Sequence, residues 1–170
     1  DNFAVNIPKP VVICTDIFDE FMETNELYPV ALGDADDETI LPVFLAGQLA
    51  SRLIEDLMAF FDVVKSPIAV RSSSLLEDSH YQPFAGIYST YMVPKIEEKY
   101  DMLRTVSDAI KAVYASVFYK DSKAYMTATS NLIDQEKMAI VLQEVVAPVI
   151  MIILSDDVGR GPFLEFLSDR

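Results

Sequence analysis

Apolar residues recur at spacings of three and four in two parts of the chain, and this periodicity constrains the fold more than any other feature. The pattern predicts one long amphipathic helix over residues 40–60 and a second over residues 103–117. Shorter apolar runs typical of strands lie around them, at residues 11–14, 67–71, 86–93, 124–129 and 138–142. Strands combined with long helices predict an α/β or α+β domain, with a mixed sheet flanked by the helices.

The size and composition agree with a single folded domain. The 170 residues are 51% hydrophobic and 24% charged, close to globular averages, so a mostly disordered chain is excluded. The only cysteine, Cys14, permits no internal disulfide and no cysteine-based zinc site. The only histidine, His80, leaves few routes to a histidine-dependent site within the chain.

The charge of the chain argues against two classes of partner. Thirteen basic and 27 acidic residues give a net charge of −14, which disfavours a nucleic-acid backbone or an anionic membrane surface. No apolar stretch reaches the roughly 18 residues of a membrane-spanning helix, and Asp1 and Asn2 do not resemble the start of a signal peptide. We therefore expect a cytoplasmic location. Because the chain does not begin with methionine, we expect a fragment of a longer polypeptide.

The most informative segment follows the second predicted strand. Arg71, Ser72 and Ser73 place a guanidinium and hydroxyl groups where that strand runs into a polar loop. Arginine suits phosphate because its planar donors bind two oxygens at once. A structural interpretation stays open, since residues 74–77 fit a helix capping box and Arg71 could pair with the acids that follow.

Two further segments suit a nucleotide. Gly86 precedes a predicted strand and would let a ligand approach the backbone closely, although a turn glycine explains it equally well. The strand predicted at residues 138–142 ends in the polar pair Gln143 and Glu144, so its exposed backbone groups suit the edge of an adenine. A core strand that emerges into solvent is the structural alternative. The nucleotide-binding patterns GxxxxGK and GxGxxG are both absent.

These segments, in this order, resemble the N-terminal nucleotide-binding domain of the pyruvate phosphate dikinase and phosphoenolpyruvate synthase family. That family's signature is VRSSATAED followed by Phe-Ala-Gly, and the chain matches it at residues 70–73, 77–78 and 84–86. Thr90 stands where the family places a threonine. Further similarities occur at residues 7–10, 15–27, 114–118 and 141–146, so the resemblance covers about residues 5–146.

The resemblance implies the N-terminal portion of an ATP-grasp fold over residues 1–146, with residues 147–170 as a segment of uncertain attachment. It implies ATP and Mg²⁺ as cofactors. It also implies partner domains, since the family transfers a phosphoryl group to a histidine on a separate domain and then to pyruvate on a third. The chain is then the ATP-binding portion of an ATP-dependent phosphotransferase. We expect it to be inactive alone, because the carrier histidine and the pyruvate site lie elsewhere.

The resemblance also assigns residues to the ligand. Arg71 would bind the ATP phosphates, the loop from Ser72 to Gly86 would fold over them, and residues 143–146 would line the adenine. The implied cofactor-binding residues are Arg71, Ser72, Ser73, Gly86, Thr90, Gln143, Glu144, Val145 and Val146. No catalytic residue and no metal ligand is implied within this chain.

The chain also departs from the family pattern. Ser-Leu-Leu replaces Ala-Thr-Ala at residues 74–76, and Ile87 stands where glutamine is common. The family's phosphate-contacting lysine segment and its acidic metal ligands are not among the 170 residues. Two alternatives therefore stay open. One is a degenerate ATP-binding sensor or regulatory module without phosphotransfer; the other is a scaffold that binds no nucleotide, in which Arg71 only forms a structural ion pair.

Overall fold

The computed structural model describes residues 10–74, 88–128 and 136–145. The elements within these ranges are, in chain order, β1 (Val11–Ile13), α1 (Thr15–Thr24), α2 (Tyr28–Leu32), α3 (Asp37–Ala46), α4 (Ser51–Phe61), β2 (Ile68–Ser73), β3 (Thr90–Val93), α5 (Lys99–Ser116), α6 (Lys120–Ala128) and β4 (Ala139–Glu144). The predicted combination of strands and helices is confirmed. None of these helices is both long enough and apolar enough to cross a membrane.

The four strands form one sheet in the order β1-β4-β2-β3. β4 pairs with β1 and with β2, and β2 pairs with β3; each of these pairings is antiparallel. The expectation of a mixed sheet is therefore wrong for the described strands. The reason is the path of the chain, because α5 and α6 bring it back so that β4 enters between β1 and β2 against the direction of both.

Helices cover one face of this sheet. α5 packs against β2 and β3, while α3 and α4 pack against α5. Beneath them lie Ile68 and Val70 of β2 and Ile140 and Leu142 of β4, all with 0% exposure. Burying each such side chain stabilises the fold by about 1.5–3 kcal/mol, so this covered face forms the centre of the hydrophobic core.

The single helix predicted over residues 40–60 is wrong, because α3 and α4 are separate helices. The chain turns at Gly47, where an added Cβ would lie 2.9 Å from the ring of Phe21. Asn25 secures the turn, since its side-chain amide donates to the carbonyl of Gln48 at 3.0 Å and accepts the N–H of Gln48 at 2.7 Å. Apolar spacing continues through the turn, so periodicity alone could not show the break.

The strand predicted over residues 124–129 is also wrong where the structure describes it, because that segment belongs to α6. The N–H of Lys120 donates to Asp37 at 2.8 Å, which holds the first turn of the helix. Ser122 and Met126 are buried at the four-residue spacing of a helix. The other predicted strands are present as β1, β2, β3 and β4, and the second predicted helix is α5.

Candidate functional site

The face of the sheet opposite the described helices groups several of the predicted ligand-binding residues. Side chains alternate between faces along a strand, and residues paired across antiparallel strands share a face. Because Val70 and Leu142 are fully buried, their neighbours along the strands point away from the helices. We call this side the open face; by register it carries Val12, Ala69, Arg71, Ser73, Thr90, Met92, Ala139, Val141 and Gln143.

Arg71 lies at the centre of the open face. Its side chain is exposed, and it stands directly between Thr90 of β3 and Val141 of β4. Among the residues that the structure describes, no carboxylate forms an ion pair with its guanidinium. Glu77 and Asp78, the acids of the structural alternative, lie outside the described residues. Within the described part, Arg71 is therefore placed to meet an anion from solvent.

The strand that carries Arg71 extends further than predicted. β2 ends at Ser73, so Arg71 lies inside the strand, and Ser72 and Ser73 are strand residues where the sequence indicated a loop. Alternation places Ser73 on the open face and Ser72 on the covered face, opposite Ile140. The structure therefore brings the side chain of Ser73 to the same face as Arg71, and it does not bring that of Ser72.

The end of β4 divides its polar residues between the two faces. Gln143 lies on the open face opposite Ala69. Glu144 points the other way, and its Oε1 accepts the N–H of Lys65 at 2.7 Å and the N–H and hydroxyl of Ser66 at 3.3 and 3.2 Å. The bond from the backbone of Lys65 is the main cause that lowers the pKa of the Glu144 carboxyl. This carboxylate is therefore bonded to the protein itself.

The backbone N–H and C=O groups at the end of β4 point in defined directions. The N–H of Val145 donates to the carbonyl of Pro67 at 2.8 Å, toward β2. Backbone groups of successive strand residues point to opposite sides, so those of Glu144 point toward the β1 side of β4. The last described pair on that side joins Val11 to Leu142. The position that the register of β1 brings opposite Glu144 lies outside the described residues.

Gly86 and Val146, the remaining predicted ligand-binding residues, lie outside the described residues, and their assignments stay predictions. Within the described ranges, the predicted residues that share the open face are Arg71, Ser73, Thr90 and Gln143.

Sequence reasoning missed the apolar part of the open face. Met92 is 52% exposed and Val12 is 53% exposed, although both are large apolar side chains. Met92 stands opposite Ala69, in the row of residue pairs next to that of Arg71. Exposed apolar surface grouped beside polar residues is typical of a ligand or partner site. The alternation of β3 around Thr90 was the signal that would have found Met92.

The chemistry of the open face suits an anion better than a metal ion. Arg71 supplies a positive charge and Ser73 and Thr90 supply hydroxyl groups, while no residue assigned to this face by register is a carboxylate. Across residues 10–74, 88–128 and 136–145, no group of three or more histidine, cysteine or acidic residues could hold a metal ion. These residues therefore fit phosphate oxygens and do not fit a protein-bound Mg²⁺.

Two clefts of about 230 Å³ each lie in the described part. One lies between β1 and α4, and Val12 of the open face contributes to its lining; the other lies at the start of α5.

Comparison with known proteins decides the family. A family model described as the AMP/ATP-binding domain of pyruvate phosphate dikinase matches residues 1–153. The chain belongs to this family. The resemblance based on the motifs at residues 70–86 is therefore confirmed. The match ends beyond residue 146, and the division of the chain at that residue stays a prediction.

One relative extends the comparison. The uncharacterized phosphotransferase YvkC of Bacillus subtilis (strain 168) is 29% identical to the chain over 140 residues. The aligned part is 81% of this chain and 15% of the relative. The chain therefore spans a small part of the length of the relative that it matches.

Proposed function

We propose that the chain is the ATP-binding portion of a phosphotransferase of the phosphoenolpyruvate synthase and pyruvate phosphate dikinase type, and that ATP lies on the open face. The observation that carries the proposal is Arg71, which is exposed at the centre of that face with no ion-pair partner among the described residues. The family supplies the ligand class, since its model is described as an AMP/ATP-binding domain.

In this proposal the row through Arg71 binds the triphosphate. The guanidinium can donate to two phosphate oxygens at once. Thr90 stands directly opposite it, and Ser73 lies two residues further along the same face, so both hydroxyls can donate to the same group. The loop from Ser72 to Gly86 is assigned to the phosphates by likeness to the family.

The adenine binds at the end of β4 in this proposal. Gln143 lies on the open face, and the backbone of Glu144 points toward the β1 side. Glu144 is paired with Ile68, which lies three residues along β2 from Arg71. At the rise of a strand this separation is about 10 Å. In this arrangement the triphosphate lies at the level of Arg71, and the adenine lies at the level of Ile68 and further toward β1.

The proposed reaction moves the terminal phosphoryl group of ATP to a histidine on a separate domain and then to pyruvate. Such transfer depends mainly on positioning and on stabilising the charge of the transferred group. Arg71 contributes positive charge at a fixed point of the sheet, and Mg²⁺ bound to ATP would offset part of the triphosphate charge. The net charge of −14 does not oppose binding, because exposed charges beyond about 8–10 Å are screened.

The cytoplasmic location stays a prediction.

A second candidate function is a nucleotide sensor that binds ATP without transferring phosphate. It is favoured by residues 74–76, where Ser-Leu-Leu replaces the family's Ala-Thr-Ala. A polypeptide that contains this chain and its carrier histidine separates the two. Formation of phosphohistidine from ATP supports the phosphotransferase, whereas ATP binding without it supports the sensor.

The ATP site is tested by titrating the chain with MgATP and following backbone amides by NMR, which detects weak binding. We expect the amide signals of Arg71, Thr90 and Gln143 to shift. Arg71→Ala should weaken binding about 10- to 100-fold, the range expected for losing hydrogen bonds to a charged group. Arg104→Ala is the matched control, because Arg104 is an exposed arginine on α5 with 75% side-chain exposure.

Two results would contradict the ATP site. One is an absence of shifts on the open face at millimolar MgATP. The other is an Arg71→Ala variant that binds MgATP as tightly as the unchanged chain and the Arg104→Ala control. Either result would favour the scaffold alternative, in which Arg71 has a structural role only.

A further inference from the structure

The side chain of Glu144 accepts three hydrogen bonds next to the proposed adenine edge. Three donors converge on a single oxygen, Oε1: the N–H of Lys65, the N–H of Ser66 and the hydroxyl of Ser66. Both donor residues belong to the segment that leads from α4 into β2. The carboxylate therefore ties the end of β4 to the start of β2 across 78 and 79 positions of sequence.

We propose that Glu144 is a positioning residue, which fixes the backbone edge of β4 to which the adenine of ATP binds. This inference rests on the proposed function, and it specifies how a residue that the resemblance assigned to the adenine would act. The side chain does not contact the adenine; it acts through the backbone N–H and C=O of its own residue. Those groups point to the β1 side of β4, away from the bond between Val145 and Pro67.

The geometry explains why the strand end needs such a bond. Among the described residues, β4 pairs with β1 as far as Leu142 and with β2 as far as Glu144, so the described backbone contacts at the end of β4 are those with β2. The backbone of Glu144 lies in a pair with Ile68 that exchanges no backbone hydrogen bonds, because the bonded pairs alternate and Val145 bonds to Pro67. The carboxylate supplies the fixed contact that the backbone of this residue lacks toward β2.

Loss of the positioning contact should weaken binding of the adenine base and leave binding of the phosphates unchanged. A hydrogen bond weakens steeply when its angle or distance departs from the preferred range, so a displaced edge of β4 binds adenine less well. Arg71 is held inside β2 by partners on both sides, and it does not depend on Glu144. Loss of the carboxylate should therefore lower the affinity for ATP and leave the affinity for inorganic tripolyphosphate unchanged.

The experiment measures binding of MgATP and of magnesium tripolyphosphate to the chain and to three variants. Glu144→Ala should weaken MgATP binding between about twofold and tenfold, the loss of one hydrogen bond, with tripolyphosphate binding unchanged. Glu144→Gln keeps Oε1 as an acceptor, so its affinity for MgATP should lie between that of the unchanged chain and that of Glu144→Ala. Glu98→Ala is the matched control, because Glu98 also accepts a backbone N–H at 2.7 Å, from Asp101 at the start of α5. It should change neither affinity.

The outcomes separate this inference from the proposed function. If the unchanged chain binds neither probe, the proposed function fails. If it binds both, and Glu144→Ala binds MgATP normally or loses both probes equally, only the positioning role is overturned. Should Glu144→Ala not fold, Glu144→Gln decides: weaker MgATP binding with normal tripolyphosphate binding supports the role, and two unchanged affinities overturn it.

Discussion

The two faces of the sheet are built from alternate residues of the same strands, yet they differ in almost every property. On the covered face, Val70 and Leu142 are completely buried beneath helices. On the open face, the side chains of Arg71 and Met92 are exposed to solvent, although they belong to the same sheet. One residue along a strand therefore changes a side chain from part of the core to part of a surface.

This difference shows how the fold can bind a ligand at little cost in stability. The covered face is constrained by packing, since a change of even one methylene is felt in a close-packed core. On the open face Arg71, Thr90 and Met92 are exposed, so substitutions of these residues should disturb less packing. Substitutions on the covered face should thus change stability, while substitutions on the open face should change binding.

The largest expected effect compares two neighbours on β4. Leu142→Ala removes a fully buried side chain and leaves a cavity, and we expect it to lower the free energy of unfolding by about 2–5 kcal/mol. Val141→Ala removes a half-buried side chain from the open face, and it should cost less than about 1.5 kcal/mol. Urea unfolding followed by circular dichroism measures both values.

Equal losses of unfolding free energy for Leu142→Ala and Val141→Ala would contradict the difference between the two faces. That result would mean that Val141 is also packed in a core, so that something other than solvent or a nucleotide covers the open face.

The alternation that separates the faces could be read from the sequence, but not everything on them could. The strand containing Val70 and Arg71 and the family motif around it were predictable because they depend on adjacent residues. The break at Gly47 was not, since it depends on Phe21 and on the bonds of Asn25, which lie far away in sequence. The bonds of Glu144 to Lys65 join residues 79 positions apart, and no local pattern marks them.

Two buried tyrosines allow a comparison of hydrogen bonding inside the protein. The hydroxyl of Tyr88 donates to Glu136 at 3.1 Å, whereas that of Tyr114 has no hydrogen-bond partner among the described residues. Burial also raises the pKa of Tyr114. Tyr88→Phe should therefore destabilise the protein by about 1–2 kcal/mol, while Tyr114→Phe should be neutral or stabilise it by about 1 kcal/mol. Thermal unfolding of both variants measures the difference.

The difference between the two substitutions is the decisive measurement, because each removes one tyrosine hydroxyl group and only Tyr88 loses a hydrogen bond seen in the described part. If Tyr114→Phe destabilises the protein as much as Tyr88→Phe does, the hydroxyl of Tyr114 has a partner, and the interior next to α5 is more polar than the described residues indicate.

The smallest expected effect is on the pH dependence of stability, and it concerns Glu144 at the end of β4. Hydrogen bonds from Lys65 and Ser66 lower the pKa of its carboxyl below the ordinary value of about 4.3. A folded-state pKa below the unfolded one gives stability that is complete above about pH 4.3 and is lost as the pH falls through the lowered folded value. The stability difference between the unchanged chain and Glu144→Gln should therefore be constant from pH 7 to 5 and shrink toward pH 3 in urea unfolding. A difference that stays constant down to pH 3 would show that the charge of Glu144 contributes nothing, and that its oxygen acts only as a neutral acceptor between the two strands.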